Sequence, residues 1–242
     1  MRGPSGFRPM ETIRSVSENI AFVREEIARA ARKAGRSPAE IRLLAVTKTV
    51  DDDRIREAIA AGVDLIGENY VQEARRKIDL LGRPLPWHFI GHLQTNKAKY
   101  AVRLFDLIHS VDRIDLAREL DRRAAAQEMT LKILVEVNVS GEASKSGVPA
   151  SQAITLVRSL AEFPCLSIRG LMTMPPWFDD PEEARPHFAA LRQLAEAIRR
   201  EHIEGVHMDE LSMGMTNDYR VAVEEGSTIV RVGRAIFGER PV

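Results

Sequence analysis

Lys48 is the residue whose position most invites covalent chemistry. It follows the apolar run Ile41, Leu43, Leu44, Ala45 and Val46, so its aliphatic stem starts among buried side chains. Two readings stay open. The amine can snorkel from a strand end to water. It can instead be kept neutral and nucleophilic by burial, ready to form a Schiff base with a carbonyl compound. Two glycine-bearing loops late in the chain, SMGMTND (212–218) and VGRAIFG (232–238), could receive an anion. Their glycines let backbone N–H groups approach it, and Ser212 and Thr216 add hydroxyl donors. A helix starting near Arg234 adds the positive end of its dipole. The plain alternative is two ordinary glycine turns. Arg231 lies between these loops in an otherwise apolar run of Ile229, Val230 and Val232. A buried cation there needs a partner, either an internal carboxylate or an acceptor on a bound ring.

These groups are far apart in the chain, so regular elements must gather them. Ile13, Val16, Ile20, Val23 and Ile27 fall at helical spacing and predict a helix over residues 11–34, ended by Gly35. Short apolar runs then predict strands over 41–46, 63–68, 87–91, 106–111, 131–139, 166–173, 210–213 and 228–233. Helices are expected between and after them, over 52–61, 71–81, 96–104, 114–127, 151–163, 181–202, 218–224 and 234–238. Strands that alternate with helices pair in parallel through right-handed crossovers. Eight such units in 242 residues match a closed (β/α)8 TIM barrel, with the helix over 11–34 as an N-terminal addition. An open doubly wound sheet is the runner-up, but the turn after its first strand reads AVTKTV, without the glycines of a dinucleotide site. Residues 11–242 read as one domain, and residues 1–10 as a disordered arm, with Met10 a candidate alternative start.

In such a barrel the chemistry sits at the C-terminal strand ends, and phosphate sites often form after strands seven and eight. Lys48 after strand one and the glycine loops after strands seven and eight then share one face. A Schiff-base lysine beside a phosphate cup fits pyridoxal 5′-phosphate. Arg231 could face the pyridine nitrogen and, staying charged, hold it unprotonated, which weakens the ring as an electron sink.

Composition narrows the alternatives. Lys and Arg number 35 against 35 Asp and Glu, leaving no basic excess for nucleic acid. No apolar run approaches the ~18–20 residues of a membrane helix, and the first ten residues lack a signal peptide's apolar core. A single cysteine, Cys165, allows no intramolecular disulfide or cysteine metal cluster, in keeping with a reducing cytoplasm. It reads as a small buried hydrophobe. His88 and His92 are four apart, but a strand and Gly91 between them remove the helical meaning of that spacing, so no metal is expected. Asp51 to Asp53 suit a helix cap. Met172, Met174, Met208, Met213 and Met215 suit barrel filling. His187 and His202 read as surface residues.

The strings AVTKTV, GENYVQEA, WHFIGHLQTNK, SVDR, SKSG, RGLMTMP, SMGMTNDY and VRVGRAIFG occur in this order. Together they resemble the pyridoxal phosphate homeostasis protein family, over about residues 11–239. The resemblance implies a barrel like the N-terminal domain of alanine racemase, the third fold type of pyridoxal phosphate proteins. It implies that Lys48 carries the cofactor as an internal aldimine and that Arg231 lies near the pyridine nitrogen. Asn69 would line the pocket, and Ser212, Thr216, Gly233 and Arg234 would surround the phosphate. Thr216 stands where serine is frequent, keeping the hydroxyl; Arg234 stands where threonine is frequent, exchanging a hydroxyl for a charge. The implied role is a cytoplasmic, monomeric carrier that buffers the cofactor or delivers it to apo-enzymes. The competing reading is an amino-acid racemase. That reaction needs a base on each face of the substrate carbon. The partner base of alanine racemases is a tyrosine that belongs with a second domain, which a chain ending at Val242 is expected to lack. Tyr70, Tyr100 and Tyr219 are the tyrosines available as substitutes. A pure interaction scaffold would leave the pairing of Lys48 with the glycine loops unexplained.

Overall fold

Ser15 starts the first helix. Its hydroxyl accepts from the Glu18 backbone N–H, and the Glu18 carboxylate accepts from the Ser15 backbone N–H, a reciprocal cap. The helix, α1, spans Val16–Lys33 and buries Val16, Ile20, Val23 and Ile27. Burying each of these stabilises by roughly 1.5–3 kcal/mol before entropy is counted. The computed structural model describes residues 15–142 and 145–239. The arm expected over 1–10 and the start of the helix expected over 11–34 lie outside the described residues.

The strands follow as β1 (Arg42–Val46), β2 (Leu65–Glu68), β3 (Trp87–Phe89), β4 (Leu107–Val111) and β5 (Leu131–Asn138). Next come β6 (Val148–Pro149), β7 (Leu166–Met172), β8 (Val206–Ser212) and β9 (Ile229–Val232). All pair in parallel. Their order is β4-β3-β2-β1-β9-β8-β7-β5, and β4 also pairs with β5, which closes an eight-strand barrel. The two-residue β6 sits outside that ring, beside the end of β5. The helices α2 (Asp52–Ala60), α3 (Val71–Leu81), α4 (Ala98–Leu104) and α5 (Ile114–Ala125) each join one strand to the next. So do α6 (Ala153–Leu160), α7 (Arg185–Arg200) and α8 (Tyr219–Glu224), while α9 (Arg234–Phe237) follows β9. The (β/α)8 barrel expected from the sequence is therefore the fold.

The N-terminal helix α1 packs on α2, α8 and α9, where the outer ring begins and ends. Asn19 Nδ2 donates to the Ile236 carbonyl at 2.9 Å, and buried Glu26 receives Arg220 at 2.9 Å.

Side chains alternate between the two faces of each strand. Leu44, Val46, Leu65, Ile90, Leu107, Leu134, Met172 and Ile229 form a core of their own inside the barrel. A larger core lies between the strands and the helices.

Four expectations need correction. β8 begins at Val206, four residues earlier than expected. His207 and Asp209 are exposed while Met208 is buried, so that half of the strand is polar outward and lacks an apolar run. The helix expected over 181–202 opens as a tight turn, Pro181–Ala184, capped by the Asp180 carboxylate, before α7. Met174 is 42% exposed and does not fill the barrel. Cys165 is half-buried, packed at the edge of the core.

Candidate cofactor site

Strand parity builds the site. On β1, Leu44 and Val46 point inward, and the same alternation carries to Lys48. Lys48 stands two residues past the strand, in a turn closed by Val50 N–H to the Thr47 carbonyl at 3.0 Å, and is half-buried. Val46 is in register with Gly67 of β2, and Ala45 with Val232 of β9. Asn69, just beyond β2, and Gly233, just beyond β9, therefore flank the Lys48 turn. Ser212 ends β8, the next strand round. The seven residues singled out in the sequence thus come from four adjacent strands and the loops that follow them.

Arg231 is buried on β9, 3% exposed. Nη1 donates to Ser212 Oγ at 2.7 Å and Nη2 to the Thr173 carbonyl at 2.9 Å. Among the described residues no carboxylate forms an ion pair with it, so the internal-carboxylate alternative is not realised. Burial pulls the guanidinium down to about 10, against the pull of Asp218 and Glu136; it stays charged at neutral pH.

Beneath Arg231 runs a chain that sequence reasoning missed. Ser212 Oγ meets His109 Nδ1 at 2.9 Å, and His109 Nε2 meets His88 Nδ1 at 2.9 Å. An arginine can only donate, so Ser212 Oγ accepts from it. Between the two neutral rings one nitrogen donates and the other accepts. Burial holds His88 down at about 3 and keeps His109 well below the usual histidine range. The available signal was a histidine inside each of two apolar strand runs.

The loop after β8 depends on a glycine. Gly214 has φ +92°, and a Cβ there would lie 2.5 Å from the Ala222 Cβ and 3.0 Å from the Tyr219 Cα. Its carbonyl accepts from the Arg231 N–H at 2.9 Å. Asp218 closes the loop by accepting from the Met215 N–H at 2.6 Å. Thr216 Oγ1 accepts from the Ala235 N–H at 3.3 Å, which leaves its hydroxyl proton free to donate and ties this loop to α9. Arg234 is exposed and lies 3.9 Å from Glu239. Gly214→Ala is expected to lose at least about 1–3 kcal/mol of stability from the backbone alone, read as a lower urea midpoint.

Glu136 ends this inner wall on β5. Burial, with Asp112 nearby, raises its carboxyl to about 7. The two kinds of group oppose each other as pH changes. Stability from keeping His88 neutral is present above about pH 6.5 and is lost as pH falls through about 3, and neutral His109 contributes in the same direction. The Glu136 penalty is absent below pH 4.5 and grows as pH rises through 7. Glu136→Gln is therefore expected to stabilise the protein by up to about 3 kcal/mol at pH 8 and by almost nothing at pH 4.5. Urea unfolding at the two pH values checks this.

The surroundings fit an anionic heteroaromatic group. Asn69 Oδ1 is buried without a hydrogen-bond partner, and Arg231 is a buried cation without a paired anion. A cleft of ≈ 400 Å³ beside Asn69, lined also by Tyr70, Phe89, Gly91 and Lys97, lies on the β2–β3 side of the mouth, and Asn69 alone of the seven candidate residues lines it. No cluster of three or more metal-ligand side chains occurs among the described residues.

The family described as "Alanine racemase, N-terminal domain" matches residues 19–241. The "Pyridoxal phosphate homeostasis protein" of Aquifex aeolicus is 44% identical over 224 residues, 92% of this chain and 97% of that protein. PipY of Synechococcus elongatus, solved with PLP bound, is 35% identical with a TM-score of 0.81, covering 93% of this chain and all of PipY. An alanine racemase of Clostridium difficile shares the fold at 12% identity and a TM-score of 0.72, over 93% of this chain and 58% of the racemase. Barrel, inner wall and relatives converge: the chain belongs to the pyridoxal phosphate homeostasis protein family, built on the alanine racemase N-terminal domain.

Proposed function

We propose that the chain binds pyridoxal 5′-phosphate at the C-terminal mouth of the barrel and holds it covalently on Lys48. It buffers the cofactor or passes it to apo-enzymes, without substantial catalysis of its own. The supporting observation is Arg231, a buried guanidinium without a carboxylate partner, on the strand beside the one that leads into Lys48. When bound, the group supplies an aldehyde for attachment and a ring that can draw electrons from an attached amine. Lys48 would hold the group through that aldehyde, its amine nitrogen taking the place of the aldehyde oxygen, which would leave as water. Arg231 would face the ring nitrogen and, as a cation, would leave it without a proton, making the ring a poor electron sink. Ser212, expected from the sequence at the phosphate, instead has its hydroxyl engaged by Arg231 and His109 and holds Arg231 from below. Asn69 lines the ring's flank. Thr216, Gly233 and Arg234 surround the phosphate, where local donors must replace a global field, since the chain's net charge is zero.

The tyrosines fit a carrier better than a racemase. Tyr219 is buried, with its phenol pushed up to about 12. Tyr70 and Tyr100 lie exposed. Among the described residues no helix is long and apolar enough to cross a membrane, and the reading is completed by a cytoplasmic monomer as the working form.

The test uses protein saturated with pyridoxal phosphate and desalted. Visible absorption should persist, and L-alanine in deuterated water should show no α-proton exchange at enzymatic rates. Mixing with an apo-aminotransferase should restore that enzyme's activity as the absorption moves to it. Loss of the absorption on desalting overturns cofactor binding, and enzymatic exchange overturns the carrier role.

A further inference from the structure

Lys77 is the most unusual lysine of the described chain. It lies on α3 next to the exposed Arg75 and Arg76, yet its side chain is 0% exposed. Nζ donates to the Thr47 carbonyl at 2.6 Å, to Glu68 Oε1 at 2.7 Å and to Glu73 Oε1 at 2.7 Å. Three donors meet three oxygens, which is the full capacity of an ammonium. The two carboxylates reach onward. Glu68 Oε1 also accepts from Thr47 Oγ1 at 2.6 Å, and Glu73 Oε1 from the Thr49 N–H at 2.7 Å. Every one of these bonds ends on Thr47 or Thr49, or on a group that holds one of them. The residue between is Lys48.

The turn needs holding. Thr49 has φ +61°, a left-handed conformation that is a true outlier for a β-branched residue. Such strain costs on the order of 1–3 kcal/mol and persists where the surroundings over-determine it. Here they do so from both sides, through the Thr47 carbonyl and hydroxyl and the Thr49 N–H.

We propose that Lys77, Glu68 and Glu73 are positioning residues that hold the strained turn around Lys48 and so aim its amine at the carbonyl carbon it attacks. This rests on the reading that Lys48 carries pyridoxal phosphate. The clamp acts on the rate and extent of covalent attachment and leaves phosphate recognition, on the opposite side of Lys48 at β8 and β9, unaffected. It also makes Lys77 itself inert: its nitrogen has no lone pair to offer while three acceptors hold its protons.

Glu73 gives the cleaner test, because its side chain is partly exposed (21%) while Lys77 and Glu68 are fully buried. Removing either buried partner strands a charge and risks the fold. Attachment is read as the rate at which borohydride-fixable adduct appears at saturating pyridoxal phosphate. Recognition is read as affinity for pyridoxine 5′-phosphate, which keeps ring and phosphate but has no aldehyde. Glu73→Ala should slow attachment by on the order of tenfold or more, since small misplacements of a reacting group have effects of that size. Its affinity for the analogue should stay within about twofold of wild type, a difference worth under ~0.5 kcal/mol. Glu73→Gln keeps an oxygen for Thr49 and should recover most of the rate. Thr49→Gly removes the strain, so Glu73→Ala added to it should cost less than it does alone, a coupling that a double-mutant cycle isolates. Attachment at the wild-type rate in Glu73→Ala overturns the proposal. So does a parallel fall in attachment and analogue affinity, which would mean general support of the barrel mouth. Failure of wild-type protein to form any adduct overturns the cofactor reading instead, and the clamp with it.

Discussion

Arg231→Met is expected to weaken retention of pyridoxal phosphate by on the order of ten- to a hundredfold while leaving the unliganded fold about as stable as before. A hydrogen bond from a charged donor contributes about 1.5–3 kcal/mol, and each 1.4 kcal/mol is about tenfold in affinity. The stability side is a near balance. Burial without an ionic partner pulls Arg231 from 12.5 to about 10, which corresponds to about 3 kcal/mol that the fold spends to keep a cation there. Methionine removes that cost. It also strips a donor from Ser212 Oγ and from the Thr173 carbonyl, at about 1–3 kcal/mol for each buried group left unsatisfied. Urea unfolding of the unliganded variant and equilibrium dialysis against the cofactor measure the two effects separately. A variant that fails to fold would make Arg231 a structural residue. One that folds and binds normally would remove it from the site.

Lys48→Ala has the other large effect. Covalent attachment should vanish, while weaker, dialysable binding remains through Arg231 and the loops after β8 and β9. Lys48 is half-buried in a turn, outside the packed core, so the stability change should stay within about 1 kcal/mol. Intact mass after borohydride reduction checks the first point, and a urea midpoint the second. Loss of all binding, covalent and dialysable, would mean that the phosphate loops contribute little on their own.

The barrel was legible in the sequence because its strands are short, apolar and separated by helical runs. The strand runs ending at Val46, Glu68 and Val111 each stop where the residues turn polar, and the structure ends β1, β2 and β4 at those residues. The first half of β8 was not legible, since His207 and Asp209 face solvent and break the apolar signal. Residue type and strand-end position single out Lys48, Arg231 and the two glycine loops, and the structure puts them on three adjacent strands and the loops that follow them. What supports them could not be read from the sequence. Ser212 and His109 are 103 residues apart, as are no two groups that a local pattern could join. Lys77 sits on an exposed-looking helix face, and only the closing of β1 against β2 brings Thr47 and Glu68 to it. Long-range hydrogen bonds leave no periodicity in the chain, so parity can point a residue inward but cannot name its partner.

On the proposed function, one amine, Lys48 Nζ, holds the cofactor. Borohydride reduction of the loaded protein followed by peptide mapping tests it most directly. One equivalent of reduced adduct is expected, on the peptide that contains Lys48, and none on Lys77. An adduct on another lysine with Lys48 unmodified would contradict it.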